Sequence, residues 1–569
     1  MERSDTDKSS STVLPTSFLC AIVLACLFPF VKKAFNMDDP LFLWAARHIQ
    51  IRPLDFYGFK VNWFGWETPM VEAQKNPPLV SYYIALVAKW FGWTETALHI
   101  AFFIPAVAAA AGAYYIASEL CSRPFTAVLA GIFSPVFIIS STTVMCDVMM
   151  AAWWVWAVFL WMRGVKKSSA LNIISACFFI VLSSLSKYFG ISLIPLLLGY
   201  SLAKKDARKW AVFLLIPIAL LAGYNWLTYA MYGKGLLFDA FSYSASSGAF
   251  RAGLLNILMT MAYTGGCLVS VFFYLPFLFD KRVLIAGALA VALVTTGLAP
   301  VHAMFSSLPR LPETRHDIGD FYWLYALQLY IFVLSGAAIL ALAVSDLLRS
   351  RDAESLLLFL WVTGTFIFAA FVNWTISGRS VLPMFPVMGI LLMRRIRYGR
   401  AVKKADRRWM VLVPLIPSLL IALSAAWADY AWANTERGEA AKLGQLYSGD
   451  KNFVWFAGHW GFQYYMQDFG FKPLDLKQIR LSAGDIVIIP VNNDDNGLFN
   501  MKLRDELARS SQISELRIPS SVWLATMSRY IGAGFYDAGF PADQLPFALG
   551  PVPRERYFIL RLLRPLRAG

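Results

Sequence analysis

The sequence predicts a polytopic α-helical membrane protein with a C-terminal α/β domain outside the membrane. Apolar residues make up 58% of the 569 residues and charged residues only 15%, and the mean hydropathy is +0.54. This composition is far too apolar for a soluble chain of this length, whereas a protein with many membrane spans is expected to have it. Apolar runs of about twenty residues recur as far as residue 430, and the composition changes after that point.

The apolar runs predict about thirteen transmembrane helices. The first covers residues 12–31, and we interpret it as an anchor because Val31-Lys32-Lys33 offers no small-residue cleavage site for a signal peptidase. The other predicted spans are 95–118, 125–141, 147–163, 169–186, 188–203, 210–231, 254–279, 283–300, 322–345, 355–373, 380–394 and 409–428.

The formal net charge of +15 reports membrane topology rather than a nucleic-acid partner. Lys and Arg collect in alternate gaps between the apolar runs, at 163–167, 204–209, 281–282, 349–351 and 394–408. This is the bias of cytoplasmic loops, so it predicts a cytoplasmic N-terminus and, with an odd number of spans, an outer C-terminus. Lys32 and Lys33 then fall on the outer side, against the rule.

The loop 34–94 is predicted to lie on the outer face and to contain helices at the membrane surface. It holds Asp38-Asp39-Pro40, Trp63, Trp66 and the segment Lys75-Asn76-Pro77-Pro78-Leu79. Connecting loops are usually short, so a long aromatic and charged one indicates function. Trp63 and Trp66 are candidates for stacking on a sugar, although the interfacial belt of aromatic residues is the favoured explanation.

Three aspartates are the candidate catalytic residues. Asp39 precedes Pro40 and suits a helix N-cap, which leaves Asp38 facing another direction and makes it the candidate base. Asp147 stands at the start of an apolar run, where a cap is the simple explanation and a functional site is the alternative.

Basic residues on the predicted outer face point to an anionic group at the membrane surface. The charge rule disfavours them there, and the simple explanation for any one of them is snorkelling towards lipid headgroups. Arg holds a phosphate by two parallel hydrogen bonds and Lys holds it as a point charge. The candidates for a donor phosphate are Lys75, Lys187 with Tyr188, Arg251 and Arg379, and Asn76 and Arg315 are candidates for binding the substrate.

Residues 431–569 are predicted to form a small α/β domain. Residues 434–447 have helical spacing, and 452–457, 485–491 and 557–563 have the composition of strands. All six cysteines precede residue 430, so no disulfide framework is predicted for this domain. The five histidines are scattered without ligand spacing, so no metal site or cofactor is predicted, and a divalent metal is the disfavoured alternative.

The residues resemble the GT-C membrane glycosyltransferases. The bacterial branch related to protein O-mannosyltransferases and to the lipid A aminoarabinose transferase is the most similar. The resemblance rests on Asp38-Asp39, Asn76-Pro77-Pro78-Leu79, Asp147, and Arg379 followed by Leu382-Pro383 and Pro386. It implies a transmembrane catalytic domain over 1–430 and an outer α/β domain over 431–569.

The resemblance also implies a reaction. A sugar moves from a polyprenyl-phosphate donor to a lipid, glycan or protein acceptor on the outer face of a bacterial inner membrane. Asp38 acts at the acceptor hydroxyl, Lys75 replaces the family's usual basic residue because Asn76 stands in its place, and Arg251 follows the seventh span. A carboxylate base suits such a transfer, and a single displacement inverts the anomeric carbon.

Two other classes of protein explain part of the same pattern. A transporter or flippase for lipid-linked sugars explains many spans, but its ionisable residues usually lie near the middle of the bilayer. A non-catalytic membrane scaffold explains neither the aspartates nor the outer arginines.

Overall fold

The structure is a computed structural model. It describes residues 5–246, 253–297, 322–398, 409–449, 453–491, 493, 501–518, 522–528, 530–538, 544–552 and 555–568. The predicted site residues Arg251 and Arg315 lie outside this part of the chain.

Helices form most of the chain up to residue 447. Each predicted span contains a helix within the part that the structure describes. Outside the loop 34–94, the α-helices are Asp5–Leu27, Glu95–Leu120, Pro124–Ile132, Pro135–Ser141, Cys146–Lys167, Ala170–Ser186, Leu193–Ala203, Leu215–Tyr232, Leu236–Ser246, Gly253–Cys267, Ser270–Leu278, Lys281–Gly297, Tyr322–Ser350, Ala353–Ile367, Phe385–Tyr398, Trp409–Leu412 and Leu415–Tyr447. Tighter 3-10 turns occupy Phe28–Phe30, Tyr188–Ser192, Lys205–Leu214 and Gly378–Met384, and Phe368–Val372 is a π-helix.

By length and composition, 6 described helices could cross a membrane, or up to 8 if each of two bent pairs is one span. The bent pairs are Pro124–Ile132 with Pro135–Ser141, at 66°, and Leu255–Cys267 with Ser270–Leu278, at 91°. Several predicted spans are shorter helices, such as Ala170–Ser186. The predicted many-helix membrane architecture is therefore confirmed, whereas the count of about thirteen stays a prediction.

Prolines mark the starts of the two longer helices of the loop 34–94. Helix Asp39–Ile51 carries Pro40 in its first turn, where proline is favoured, and helix Leu79–Phe91 begins directly after Pro78. The short helix Met70–Ala73 and a hairpin of β1, Lys60–Asn62, with β2, Glu67–Pro69, lie between them.

The C-terminal region forms a mixed five-stranded sheet. Its order is β4-β3-β6-β12-β7, with β3 parallel to β4 and β6 and the remaining pairs antiparallel. The strands are β3 Val454–Phe456, β4 Lys472–Pro473, β6 Ile486–Pro490, β7 Ser511–Ile518 and β12 Glu555–Leu562. Helices Trp460–Asp468 and Met501–Ser510 accompany this sheet.

The strands predicted near 452–457, 485–491 and 557–563 are found close to these positions, and β7 was not predicted. Short pairs add β5 Ile479–Leu481, β8 Leu524–Ala525, β9 Met527–Ser528, β10 Ala533–Gly534, β11 Ala548–Leu549 and β13 Leu566–Ala568. The predicted domain boundary at 430/431 lies inside the helix Leu415–Tyr447, which joins the two parts without a break.

The described residues between 522 and 549 pack with the helical core rather than with the sheet. Apolar residues on the two faces of the sheet form separate clusters, but Leu524, Phe535 and Phe547 are buried with the side chains of the helices. The backbone N–H of Gly378 donates to the carbonyl of Phe535 at 2.7 Å. A Cβ at Gly378 would meet the ring of Phe535 at 2.6 Å, so this close approach requires glycine. The segment thereby reaches the 3-10 turn Gly378–Met384.

Candidate active site

An apolar groove lies beside the junction of the helices Ala170–Ser186 and Leu193–Ala203. Its volume is about 500 Å³. Its lining side chains are mainly aliphatic and aromatic, and its polar residues include Lys75, Asn76, Lys187, Ser192, Ser244 and Asn373. The other lining residues include Tyr188, Phe189, Ile191, Pro195, Leu196, Leu237, Phe241, Leu360, Ile367, Phe368, Val372 and Trp374. We call this cavity the apolar groove.

A smaller cavity of about 180 Å³ adjoins the groove. We call it the polar pocket because carboxylates, amides and aromatic rings line it together. Lys75, Asn76 and Trp374 line both cavities, so the two meet at these residues. The pocket is also lined by Met37, Asp38, Leu41, Trp63, Phe64, Glu72, Ala73, Gln74, Tyr243, Thr375, Arg379, His459, Trp460, Tyr536 and Asp537.

Four side chains of alternating charge connect the two cavities. Lys187 Nζ donates to Asp147 Oδ1 at 2.6 Å, and Asp147 Oδ2 lies 4.0 Å from Arg379 Nη1. Arg379 Nη1 also donates to Asp38 Oδ2 at 2.8 Å. Lys187 lines the groove and Asp38 lines the pocket, with Asp147 fully buried between the two cations. We call these four residues the charge chain.

The two aspartates of the loop 34–94 have different surroundings. Asp39 is buried and is the first residue of its helix, and its side chain makes no forward cap bond, so the predicted N-cap is wrong in detail. Its oxygens accept from the backbone N–H groups of Asn36 and Val144, both at 2.9 Å. Burial raises the pKa of Asp39 to about 7, although Lys33 and the two N–H groups oppose the rise. Asp39 therefore ties the loop to the bundle, while Asp38 faces the pocket.

Breaks in helices place the other members of the charge chain. Asp147 lies in the first turn of the helix Cys146–Lys167 and forms an ion pair rather than a cap bond. Lys187 follows the last residue of the helix Ala170–Ser186, where the chain changes to a 3-10 turn. Arg379 lies in the 3-10 segment Gly378–Met384, which follows a π-helix. Irregular backbone at helix ends thus brings distant charges together.

The Lys75-Asn76 segment lies at the junction of the cavities. Lys75 Nζ donates to Asp239 Oδ2 at 2.6 Å and lies 5.2 Å from the ring centroid of Tyr243. The carbonyl of Asn76 accepts from the Tyr57 hydroxyl at 2.8 Å. These contacts fix the segment, and Lys75 lines both cavities.

The remaining candidates are placed unequally. Trp63 lines the pocket and lies 6.0 Å from the imidazole of His459, measured between ring centroids. Trp66 lines neither cavity, and Lys477 Nζ lies 4.1 Å from its ring centroid. The Tyr188 ring lines the groove, while its hydroxyl lies 3.0 Å from the Tyr224 hydroxyl.

Sequence reasoning missed the residues that the C-terminal region brings to the pocket. These are His459, Trp460, Tyr536 and Asp537. Burial lowers the pKa of His459 to about 4, so its imidazole is neutral at neutral pH. Trp460 has φ +59°, and Met37 on the facing loop has φ +51°. Such backbone is rare for these residue types and concentrates at functional sites.

No metal cluster is found in the part of the chain that the structure describes, where no group of three or more His, Cys, Asp and Glu side chains could hold a metal ion.

Comparison with known proteins finds a family match over part of the chain. The family model for dolichyl-phosphate-mannose-protein mannosyltransferases matches residues 75–230, which include Lys75, Asp147 and Lys187. No curated protein matches the chain. The match with the family model confirms the predicted resemblance to the GT-C membrane glycosyltransferases.

Two crystal structures are also similar to this chain. ArnT from Cupriavidus metallidurans bound to undecaprenyl phosphate has 12% sequence identity and a TM-score of 0.45, over 97% of this chain and 98% of that chain. The apo state of the same protein has 11% identity and a TM-score of 0.45, over 95% and 97%.

Proposed function

We propose that this GT-C-type chain moves a sugar from a polyprenyl-phosphate carrier to an acceptor hydroxyl. The single observation that carries the proposal is the junction of the apolar groove with the polar pocket at Lys75, Asn76 and Trp374. A lipid-linked sugar needs an apolar channel for its chain, a cation for its phosphate and a polar pocket for its sugar, in that order. The two cavities supply this order.

The groove suits the lipid side of the donor. Its walls are largely aliphatic and aromatic, and it holds two cations, Lys75 at the junction with the pocket and Lys187 of the charge chain. In a site poor in water, a Lys ammonium stabilises phosphate charge better than it does in bulk solvent. The family model describes enzymes whose donor is dolichyl-phosphate mannose, and we extend only the class of donor, a polyprenyl-phosphate sugar, to this chain.

The pocket suits the sugar and the acceptor. Trp63, Trp374 and Trp460 present aromatic rings, and Asp38 and Glu72 present carboxylates that accept hydrogen bonds from hydroxyl groups. Asn76 adds an amide at the junction with the groove. The acceptor hydroxyl can belong to a lipid, a glycan or a protein.

The reaction that this arrangement supports is a single displacement. The acceptor oxygen forms a bond to the anomeric carbon, while the bond between that carbon and the phosphate oxygen breaks. The acceptor proton passes to Asp38, and the electron pair stays on the departing phosphate, beside Lys75 and Lys187. A positioned carboxylate base contributes about 10²–10⁴-fold, and fixed cations add electrostatic stabilisation. Attack opposite the leaving group inverts the anomeric centre.

The proposed topology puts the site on the outer face of a bacterial inner membrane, with about thirteen spans and the C-terminal domain outside. On the outer face, Lys33 violates the charge rule for membrane topology. It is, however, 1% exposed and paired with Asp429, so its charge says little about which side of the membrane it lies on. The charge chain lies at helix ends, which favours catalysis at a membrane surface over a transport site at mid-span.

The test compares wild-type protein with Asp38→Asn, a nearly isosteric change that removes the base. Purified protein in lipid is incubated with radiolabelled polyprenyl-phosphate sugars and a membrane extract as acceptor. Asp206→Asn is the matched control, because Asp206 is exposed and lines neither cavity. We expect transfer by the wild type and the control, and at least about 10²-fold less by Asp38→Asn. Equal transfer by a folded Asp38→Asn protein contradicts the assignment of the base.

A further inference from the structure

A buried cluster of charges and hydroxyls lies behind the polar pocket. Lys33 Nζ donates to Asp429 Oδ2 at 2.5 Å, and both side chains are 1% exposed. The hydroxyls of Thr526 and Tyr536 donate to Asp429 at 2.7 Å and 2.6 Å. Lys33, Asp429 and Thr526 line neither cavity. A buried ion pair is costly to desolvate and is weak evidence for stability alone, so its place in the molecule needs another explanation.

Tyr536 connects this cluster to the charge chain through two contacts with Arg379. Arg379 Nη2 donates to the backbone carbonyl of Tyr536 at 3.2 Å, and the guanidinium carbon lies 5.4 Å from the centroid of its ring. The same guanidinium donates to Asp38 through Nη1 at 2.8 Å. The phenol oxygen of Tyr536 is therefore held by Asp429, while its ring and carbonyl hold the guanidinium that holds Asp38.

We propose that Asp429 and Tyr536 are positioning residues for the reaction. Lys33 fixes Asp429, Asp429 fixes Tyr536, and Tyr536 fixes the guanidinium of Arg379 against Asp38. This proposal rests on the proposed function. Its physical basis is that a misplacement of about 1 Å in a catalytic group can cost about 10²-fold in rate, even when the altered residue is remote.

Three separate parts of the chain meet in this cluster. Lys33 follows the first apolar helix, and Asp429 lies within the helix Leu415–Tyr447. Thr526 and Tyr536 lie in the C-terminal region, among the described residues of 522–549 that pack against the helices. The cluster therefore couples the seating of that segment to the geometry at Asp38. A purely structural ion pair predicts an effect on stability alone, whereas a positioning role also predicts an effect on rate.

The experiment compares two conservative variants of the full chain. Each removes one of the two hydroxyl groups that donate a hydrogen bond to Asp429. Tyr536→Phe keeps the ring and the carbonyl that contact Arg379 but removes the hydroxyl that donates to Asp429. Thr526→Val is nearly isosteric and removes a bond to the same carboxylate without any contact with Arg379. Asp429→Asn is a third variant, altered outside both cavities. Thermal unfolding is measured for each variant beside kcat and KM for the donor and the acceptor.

We expect Tyr536→Phe to lower kcat by about tenfold or more while both KM values stay within about twofold, because the base is misplaced but substrate contacts remain. Asp429→Asn should lower kcat in the same way, and Thr526→Val should lower unfolding temperature similarly to Tyr536→Phe without lowering kcat. Equal kcat values for Tyr536→Phe and Thr526→Val contradict the proposal. So does a normal kcat in Asp429→Asn, because Tyr536 would then act directly. Absence of transfer by the wild type contradicts the proposed function itself.

Discussion

Replacing Lys187 by methionine separates the structural role of this lysine from its role at the donor phosphate. Lys187 Nζ donates to Asp147 Oδ1 at 2.6 Å, and Asp147 is fully buried. Arg379 lies 4.0 Å from the other oxygen, beyond hydrogen-bonding distance. Lys187→Met keeps most of the side-chain volume but leaves the Asp147 carboxylate in a low-dielectric site without its main partner.

The expected cost follows from this burial. Breaking a buried ion pair by removing one partner costs about 3–5 kcal/mol, because the remaining charge is uncompensated. Lys204→Met is the matched control. Lys204 pairs with Glu354 at 2.7 Å, but these side chains are 34% and 29% exposed. Exposed pairs contribute about 1 kcal/mol or less, so this control should unfold almost as the wild type does.

The double variant Lys187→Met with Asp147→Asn distinguishes the two roles. Removing both charges eliminates the uncompensated carboxylate, so we expect most of the lost stability to return. Transfer should remain at least about tenfold slower at low donor concentration, because the cation at the phosphate is still missing.

The assay follows unfolding of the purified protein in lipid and initial transfer rates over a range of donor concentrations. If Lys187→Met unfolds no more easily than Lys204→Met, the buried pair does not stabilise the fold as described. If the double variant recovers full transfer, Lys187 supports Asp147 and does not bind the donor phosphate.

Three further predictions follow. Lys75→Met should raise KM for the donor about tenfold, because a hydrogen bond to a charged group contributes about 1.5–3 kcal/mol. Lys60→Met should leave KM unchanged, because Lys60 pairs with Glu67 and both side chains are 62% exposed. Equal KM values for the two variants would contradict a role of Lys75 in binding the donor phosphate. Trp63→Ala should lower the transfer rate about tenfold through lost stacking, whereas Trp66→Ala should not, because Trp63 lines the pocket and Trp66 does not. A larger loss of transfer in Trp66→Ala than in Trp63→Ala would refute this assignment. Burial raises the pKa of Asp39 from 3.8 to about 7, so its contribution to stability is full below pH 4 and is lost as pH rises through 7. Unfolding temperatures between pH 4 and 8 should therefore show this loss in the wild type and not in Asp39→Asn, and an unchanged profile would contradict it.

The sequence predicted the helices better than the contacts between them. Apolar runs located Glu95–Leu120 and Cys146–Lys167 closely, because a membrane span has a fixed length and composition. The sequence could not show that Asp38 contacts Arg379, because 341 positions separate the two residues and only packing brings them together. The candidates at span ends, Lys187 and Arg379, were found because charges are disfavoured there unless they have a partner or a function.

The contribution of the C-terminal region could not be predicted from periodicity. Tyr536 and Asp537 follow strands of two residues, which are too short for alternation to indicate a strand. The positive φ of Trp460, which follows His459, cannot be read from composition either. Burial of Lys33 was equally hidden, because its partner Asp429 lies 396 positions away.

The most direct test of the proposed function follows both the sugar and its carrier in one sample. Purified protein in sealed liposomes receives a polyprenyl-phosphate sugar labelled in the sugar and in the lipid, together with the acceptor extract. We predict that the sugar label moves to the acceptor as free polyprenyl phosphate accumulates, and that Asp38→Asn abolishes both changes while remaining folded. Passage of the carrier across the bilayer with its sugar still attached, and no transfer, would contradict the glycosyltransferase and identify a flippase.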